Sequence, residues 1–363
     1  MNCYKFYKIE GDDRVVPLLL CNKSWYSNRT EVKRDRLERI IDMNYIILDL
    51  EWNQSARGKS FEKKEIPFEI IQIGAVKLDE KGELLEDFNC VVRPTVYKKL
   101  HSAVKEVVAL TENELKNGNT FQEAFMKLMQ FCGDDYIFCT WGSQDLWQLQ
   151  QNMQYYQIEN AFPKAMRYYD VQKMFSIVFE DGKLRRTVEY AADVFGMEKD
   201  LPFHSAINDA RYVAGIFEKL MENKEAMERV SVDYFKPPLN KKEEVCLRFK
   251  TYSKYVYRVF PSKEEVMRDK AICSVKCPIC RTSLRKKVMW FSGNSKKHYC
   301  VAKCPFHGYV RGKIQMKRYG KDPMAVFPIK TVKPISEEEM EKIREMKAQV
   351  VEKRRLKRMK QGS

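Results

Sequence analysis

The sequence predicts an α/β fold, a mixed five-stranded sheet flanked by helices, followed by a small cysteine-bearing C-terminal domain and a charged helix. Three observations carry this. Strand-like stretches come first and are then interleaved with helical periods, the pattern of a mixed sheet. Phe235-Lys236-Pro237-Pro238 punctuates the chain where that alternation stops. Of the six cysteines beyond that point, five cluster between Cys273 and Cys304. With 363 residues, 44% hydrophobic and 12% aromatic, the chain can bury one large core or two smaller ones, which argues against disordered and fibrous classes.

Residues 1–43 read as a mixed, charged extension with a short polar helix from Arg29 to Arg39. Tyr45-Ile46-Ile47-Leu48-Asp49-Leu50-Glu51 then has the β-branched and aliphatic density of a buried strand, with two carboxylates at its end. Phe68 to Leu78 and Leu84 to Val92 are predicted as an antiparallel pair joined by the turn Asp79-Glu80-Lys81-Gly82. Phe121, Phe125, Leu128 and Met129 share one face of a helix over Phe121–Phe131. A fourth strand at Tyr136–Thr140, a helix from Asp145 to Met153 and a fifth strand at Arg167–Tyr169 follow. Helices at Val171–Val178, Thr187–Phe195 (closed by Gly196) and Ser205–Met221 complete a domain over 44–230. In the linker 231–272, Phe249, Tyr252, Tyr255, Val256 and Val259 recur at three- and four-residue spacing. That predicts an amphipathic helix with a second stripe of Lys250, Lys254 and Arg258. The cysteine-bearing domain is placed at 273–330, and a basic C-terminal segment at 331–363, helical from Ser336 to Lys360.

The formal charge of +16 is unevenly spread. Residues 231–363 hold 34 basic and 13 acidic side chains, a net of +21, whereas residues 1–230 are net −5. A positive field of that size suits a polyanion such as nucleic acid, or an anionic membrane surface. No window of 18 apolar residues exists, and the early run Val15–Leu20 is broken by Pro17. A soluble, cytoplasmic protein that does not enter a membrane is therefore expected, with its cysteines reduced.

Cys277-Pro278-Ile279-Cys280 and Cys304-Pro305-Phe306-His307-Gly308 present two pairs of soft or borderline ligands on tight turns, the layout of a zinc ribbon. Lys297–Tyr299 and Tyr309–Met316 read as strands of its hairpin. Cys300 competes with His307 for the fourth position, and Cys273 is a remoter candidate. Four protein ligands with no open position make a single Zn²⁺ structural. Lys296, Lys297, Arg311 and Lys313, interleaved with Trp290, Phe291, Tyr299 and Tyr309, suit a grip on nucleic acid.

Asp49 and Glu51, spaced i, i+2, project from the same side of a strand end. Two like charges there are costly unless a cation neutralises them, which predicts a metal site. Asp145 stands on the first turn of a helix, His204 on a loop after Pro202, and Asp209 in the first turn of a long helix.

In this order, the four acids and the histidine resemble the three motifs of the DEDDh (DnaQ-like) 3′–5′ exonucleases, over roughly residues 44–222. Ile70-Ile71-Gln72-Ile73-Gly74-Ala75-Val76 looks like that family's second-strand signature, and His204-x4-Asp209 like its third motif. Trp141-Gly142-x-x-Asp145 is similar to the KapD-like and small-RNA-trimming branch. Trp52-Asn53-Gln54 departs from the Thr-Thr-Gly of proofreading enzymes, and Thr111-Glu112-Asn113 from Thr-Gly-Ile. Both departures fall where the family touches the terminal nucleotide, so Trp52 is expected as a contact and substrate preference is what they alter. The resemblance implies an RNase H-like sheet and hydrolysis with two Mg²⁺ or Mn²⁺ ions. In that scheme Asp49 bridges both ions, Glu51 and Asp209 hold the one carrying the attacking water, and Asp145 helps to hold the other. His204 accepts the proton, a task suited to a side chain that ordinarily titrates near pH 6.5. The implied substrate is the 3′ end of single-stranded or overhanging nucleic acid, RNA or DNA, released as 5′-mononucleotides. The alternative is a noncatalytic nucleic-acid-binding adaptor on the same scaffold, against which the intact set of five positions argues.

Overall fold

The computed structural model describes residues 43–361 apart from Ala161, Asp181, Ser295 and Lys321, together with a short antiparallel pair, β1 (Tyr7–Lys8) and β2 (Val15–Val16). The helix expected at 29–39 lies outside the described residues. The chain divides into two compact units, 1–162 with 166–233, and 234–363 with 163–165.

In the first unit, β3 (Asn44–Asn53) pairs antiparallel with β4 (Glu69–Leu78), which pairs with β5 (Leu84–Val91). Short helices α1 (Ser102–Val107) and α2 (Glu112–Asn117) precede α3 (Phe121–Cys132), which starts on a capping box between Thr120 and Glu123. Then come β6 (Tyr136–Thr140), α4 (Gln144–Tyr155), β7 (Arg167–Asp170), α5 (Val171–Phe179), α6 (Val188–Val194), α7 (Ala206–Met221), α8 (Lys224–Met227) and β8 (Ser231–Val232). The strand order is β5-β4-β3-β6-β7-β8, so the sheet has six strands and not the predicted five. The sixth, β8, is a two-residue edge strand antiparallel to β7, too short to leave a periodic signal.

β3 is central and buried on both faces, which is why its sequence is a near-continuous apolar run. Ile46, Leu48 and Leu50 join the core under α3 and α4, while Tyr45 and Ile47 join the core under α5 and α7. Its neighbours differ in direction, antiparallel β4 on one side and parallel β6 on the other. The carboxyl ends of β3 and β6 therefore open at a switch in topology, the place where open α/β sheets hold ligands.

The second unit is a six-stranded antiparallel sheet, ordered β11-β12-β13-β14-β10-β9. Its strands are β9 (Val245–Arg248), β10 (Ser253–Val256), β11 (Arg285–Asn294), β12 (Lys297–Cys304), β13 (Gly308–Arg318) and β14 (Val326–Pro334). Helices α9 (Lys263–Arg268) and α10 (Lys270–Cys273) supply Val266 and Ile272 to a core with Ile314, Met316 and Val326. Helix α11 (Glu337–Gln361) packs Met340 and Ile343 against Val288, Phe291 and Val301.

The amphipathic helix predicted within 231–272 is instead the hairpin β9–β10, closed by a turn in which Phe249 stacks on Tyr252 at 4.2 Å. Register with β14 decides the matter, because Ser253–Val256 ladder onto Ile329–Val332 and tertiary pairing overrides local spacing. The segment is thus part of a sheet and not a linker. Likewise β12 and β13 belong to that larger sheet and not to a free-standing ribbon, and the terminal helix begins only after β14 ends at Pro334. Among the described residues no helix is long and apolar enough to cross a membrane.

Candidate active site and cysteine cluster

Strand alternation puts Asp49 and Glu51 on one side of the end of β3, opposite Gly74 and Gln72 of β4. Asp145, 5% exposed in the first turn of α4, lies beside Leu50, whose backbone N–H favours its ionised form. Asp209 stands in the first turn of α7, where its Oδ2 accepts the His204 N–H at 3.1 Å. Its Oδ1 is buried with no hydrogen-bond partner. Ligand atoms of Glu51, His204 and Asp209 all lie within 4.8 Å of one another.

Burial, followed by the charges of Asp145, Asp209 and Glu51, holds the Asp49 carboxyl well above the usual carboxylate range. Burial and then the neighbouring acids Asp209 and Asp145 push Glu51 up to about 8, and burial raises Asp145 to about 7. Asp209 is raised too, by burial. Four carboxyls crowded in this way ionise together only beside a cation, and an orphaned Asp209 oxygen needs a partner. The residues present therefore fit hard divalent ions.

His204 is exposed, with a left-handed backbone (φ 64°) that a non-glycine residue keeps only when its surroundings impose it. Here they do. The Tyr212 hydroxyl donates to Leu201 O at 2.8 Å and accepts the Leu201 N–H at 3.1 Å; its ring stacks on Phe203 at 4.6 Å, and Asn208 Nδ2 donates to Pro202 O at 3.0 Å.

Sequence reasoning missed what Gln72 and Gly74 do. Gln72 Oε1 accepts the Ala206 N–H at 3.2 Å while its Nε2 donates to Asn89 Oδ1 at 2.9 Å, so it anchors the start of α7. A Cβ on Gly74 would lie 2.1 Å from the carbonyl carbon of Ala206, so only glycine lets α7 approach the strand. The available signal was a buried glutamine inside the apolar run of Ile70, Ile71 and Ile73 in β4. Trp52, half-buried, follows a bulge after Glu51 and leans on Phe68 at 6.0 Å. Its neighbour Asn53 is buried, donating to Tyr97 O and Lys99 O and accepting the His101 N–H. Thr111 serves as the N-cap of α2. Of the departures from the proofreading pattern, Asn53 thus has structural work.

In the second unit, Cys277, Cys280, Cys304 and His307 offer ligand atoms within 4.8 Å of one another. Cys277 Sγ lies 3.7 Å and Cys304 Sγ 3.6 Å from His307 Nδ1, and the Cys280 and Cys304 sulfurs are 3.6 Å apart. A tetrahedral zinc with Zn–S bonds of about 2.3 Å separates its sulfurs by about 3.8 Å, so the cluster has the size of that site. The Thr282 hydroxyl, 3.4 Å away, brings the Cys280 thiol down to about 6, toward the thiolate a metal binds. Cys300 is not in this group. It sits four residues down β12 from Cys304, about 13 Å along a strand, buried so that its thiol is pushed up to about 12. Cys273 instead donates to Met267 O at 3.3 Å. Of the basic residues, Lys296 is exposed before β12, Lys297 opens β12, and Arg311 and Lys313 lie on β13.

Residues 46–217 match the sequence profile of the exonuclease (RNase T) family. The chain is 28% identical over 186 residues to the probable 3′-5′ exonuclease KapD of Bacillus subtilis (strain 168), covering 51% of this chain and 87% of that protein. It is 25% identical over 186 residues to DNA polymerase III subunit epsilon of Aquifex aeolicus (strain VF5), covering 51% and 84%. Among solved structures, the nuclease domain of 3′hExo, described as a DEDDh family member bound to rAMP, has a TM-score of 0.44 at 18% identity, covering 53% of this chain and 96% of that one. The mixed sheet with helices on both faces is the α/β arrangement expected of this part of the chain. Residues 46–217 thus carry an exonuclease (RNase T) domain.

Proposed function

We propose that this protein is a metal-dependent 3′–5′ exonuclease that shortens single-stranded or overhanging nucleic acid, with a structural zinc at its cysteine cluster and a basic second unit that holds the substrate. The crowding of four carboxyls whose proton affinities are all raised, beside an exposed histidine, carries the reading. Asp49, Glu51, Asp145 and Asp209 would hold two Mg²⁺ or Mn²⁺ ions, which when bound neutralise the acids and stabilise charge on the phosphate. The chain's own residues do the rest. Gln72 fixes the start of α7 against β4, so Asp209 is positioned before substrate arrives. His204, held facing out by the Tyr212 buttress, takes the proton of the attacking water at a ring nitrogen. Trp52 is the nucleotide-contact candidate beside Glu51.

The test uses 5′-labelled RNA and DNA of one sequence, incubated with wild type or Asp49→Asn in Mg²⁺, Mn²⁺ or EDTA. A ladder shrinking from the 3′ end, absent with the variant and in EDTA, is expected. Binding without shortening in either metal overturns the enzyme reading and favours the adaptor.

A further inference from the structure

One face of the second unit's sheet gathers cations that have almost no anionic partners. Register sets Arg311 of β13 directly opposite Lys333 of β14, with Lys313 two residues along on the same face. Lys297 of β12, opposite Gln315, shares that face and lies diagonal to Lys313. Like charges opposite each other across strands destabilise a sheet. One carboxylate, Glu339, answers them, at 3.9 Å from Arg311 and 3.7 Å from Lys333, both longer than a hydrogen bond. Among the described residues no acid lies within ion-pair distance of Lys297 or Lys313. Arg311 Nε is buried without an acceptor, a costly omission in a finished core. Burial, then Arg311, Lys297 and Lys333, lowers the proton affinity of Lys313, as expected of a cluster lacking its counter-anion.

We propose that Arg311, Lys313, Lys333 and Lys297 form a phosphodiester-binding site that grips the backbone of single-stranded nucleic acid without reading its bases. The nuclease reading supplies the class of polyanion, and the charge surplus and orphaned guanidinium nitrogen supply the site. Lys296, in the turn before β12, is outside it.

The test is fluorescence anisotropy of end-labelled single-stranded RNA and DNA with the full-length Asp49→Asn protein in EDTA, across a salt series. Adding Arg311→Gln and Lys313→Gln should weaken binding to every sequence by about 5-fold per lost contact near 0.1 M salt. The slope of log K against log salt should become shallower by about 0.7 per contact. Lys313→Arg should keep both affinity and slope. Lys333→Gln, at a position 39% exposed and so tolerant of change, should repeat the slope change singly. Unchanged slopes in these variants, or binding confined to phosphatidylserine vesicles, overturn the site. No hydrolysis is measured, so failure here is distinct from a wild type that does not shorten its substrate.

Discussion

Replacing Gly74 by alanine probes the contact that holds the active site together. The added Cβ would sit 2.1 Å from Ala206 C and 2.3 Å from both Ala206 O and Ile207 N, all backbone atoms of the first turn of α7. Ordinary contact begins near 3.4 Å, so that turn must retreat by about 1.3 Å. Asp209 travels with it, and the Gln72–Ala206 hydrogen bond at 3.2 Å is stretched or lost. Asp49 stays, because it lies across the ladder from Gly74 on the strand that does not move. A misplacement of about 1 Å between reacting groups costs about 100-fold in rate, and overpacking of this kind costs about 1–3 kcal/mol of stability. Gly74→Ala should therefore remain folded but lower kcat for 3′ shortening by about 100-fold, read as initial rates at saturating substrate beside a thermal melt. A rate within about 3-fold of wild type would refute the claim that α7 is registered to β4 through this glycine.

Tyr212→Phe removes the hydroxyl that pairs with both polar groups of Leu201 and loosens the loop that keeps His204 at positive φ; kcat should fall by about 10-fold with KM little changed, whereas a raised KM at constant kcat would place Tyr212 elsewhere in the mechanism. Elemental analysis should find about one zinc per chain, lost in Cys304→Ser and His307→Ala but kept in Cys300→Ala; loss in the last variant would mean that Cys300 is a ligand. The raised carboxyls also make a pH prediction. Without divalent ions, folded Glu51 and Asp145 keep protons that the unfolded chain gives up near 4.5 and 3.8, so stability falls as pH rises from about 4 to about 8. Ions that replace those protons should raise Tm more at pH 8 than at pH 5. Equal shifts at the two pH values would show that the carboxyls are not where metal binds.

The elements that were legible in the sequence are those whose signal is local. β3 declares itself because both of its faces are buried, and α3 because Phe121, Phe125 and Leu128 fall under one stripe. Strand alternation alone paired Asp49 with Glu51, whereas Asp145, His204 and Asp209 joined them only through the resemblance to the exonuclease motifs, since a first-turn acid or a loop histidine has no signal of its own. What failed depends on partners distant in sequence. Tyr255 and Val256 satisfy a helical spacing as well as a strand's, and only Lys330 and Ile329, over seventy residues later, select the strand. β11 was hidden by Arg285-Lys286-Lys287 and by three breaks in its register with β12. The geometry behind Gly74 involves Ala206, and the conformation of His204 depends on Tyr212; neither has a signature at the residue itself. The choice between Cys300 and His307 turns on where β12 ends, because two cysteines separated by three residues can share a metal on a turn but not along an extended strand.

The charge asymmetry gives these parts different kinetic signatures. The net −5 of residues 1–230 offers a polyanion little, whereas residues 231–363 carry a net +21. Backbone phosphates far from the scissile bond meet the same cations in the ground state and in the transition state. Binding from Arg311, Lys313 and Lys333 is therefore uniform and should appear in KM, growing with salt, and not in kcat. Under the proposed mechanism Asp209 and His204 act where charge develops, so disturbing them or α7 should appear in kcat and barely move with salt. Kinetics of Gly74→Ala and of the Arg311 and Lys313 variants across a salt series should thus separate along two axes. A basic-face variant that lowered kcat without raising KM would show that the second unit takes part in the chemical step, and the division of roles drawn from the charge distribution would be wrong.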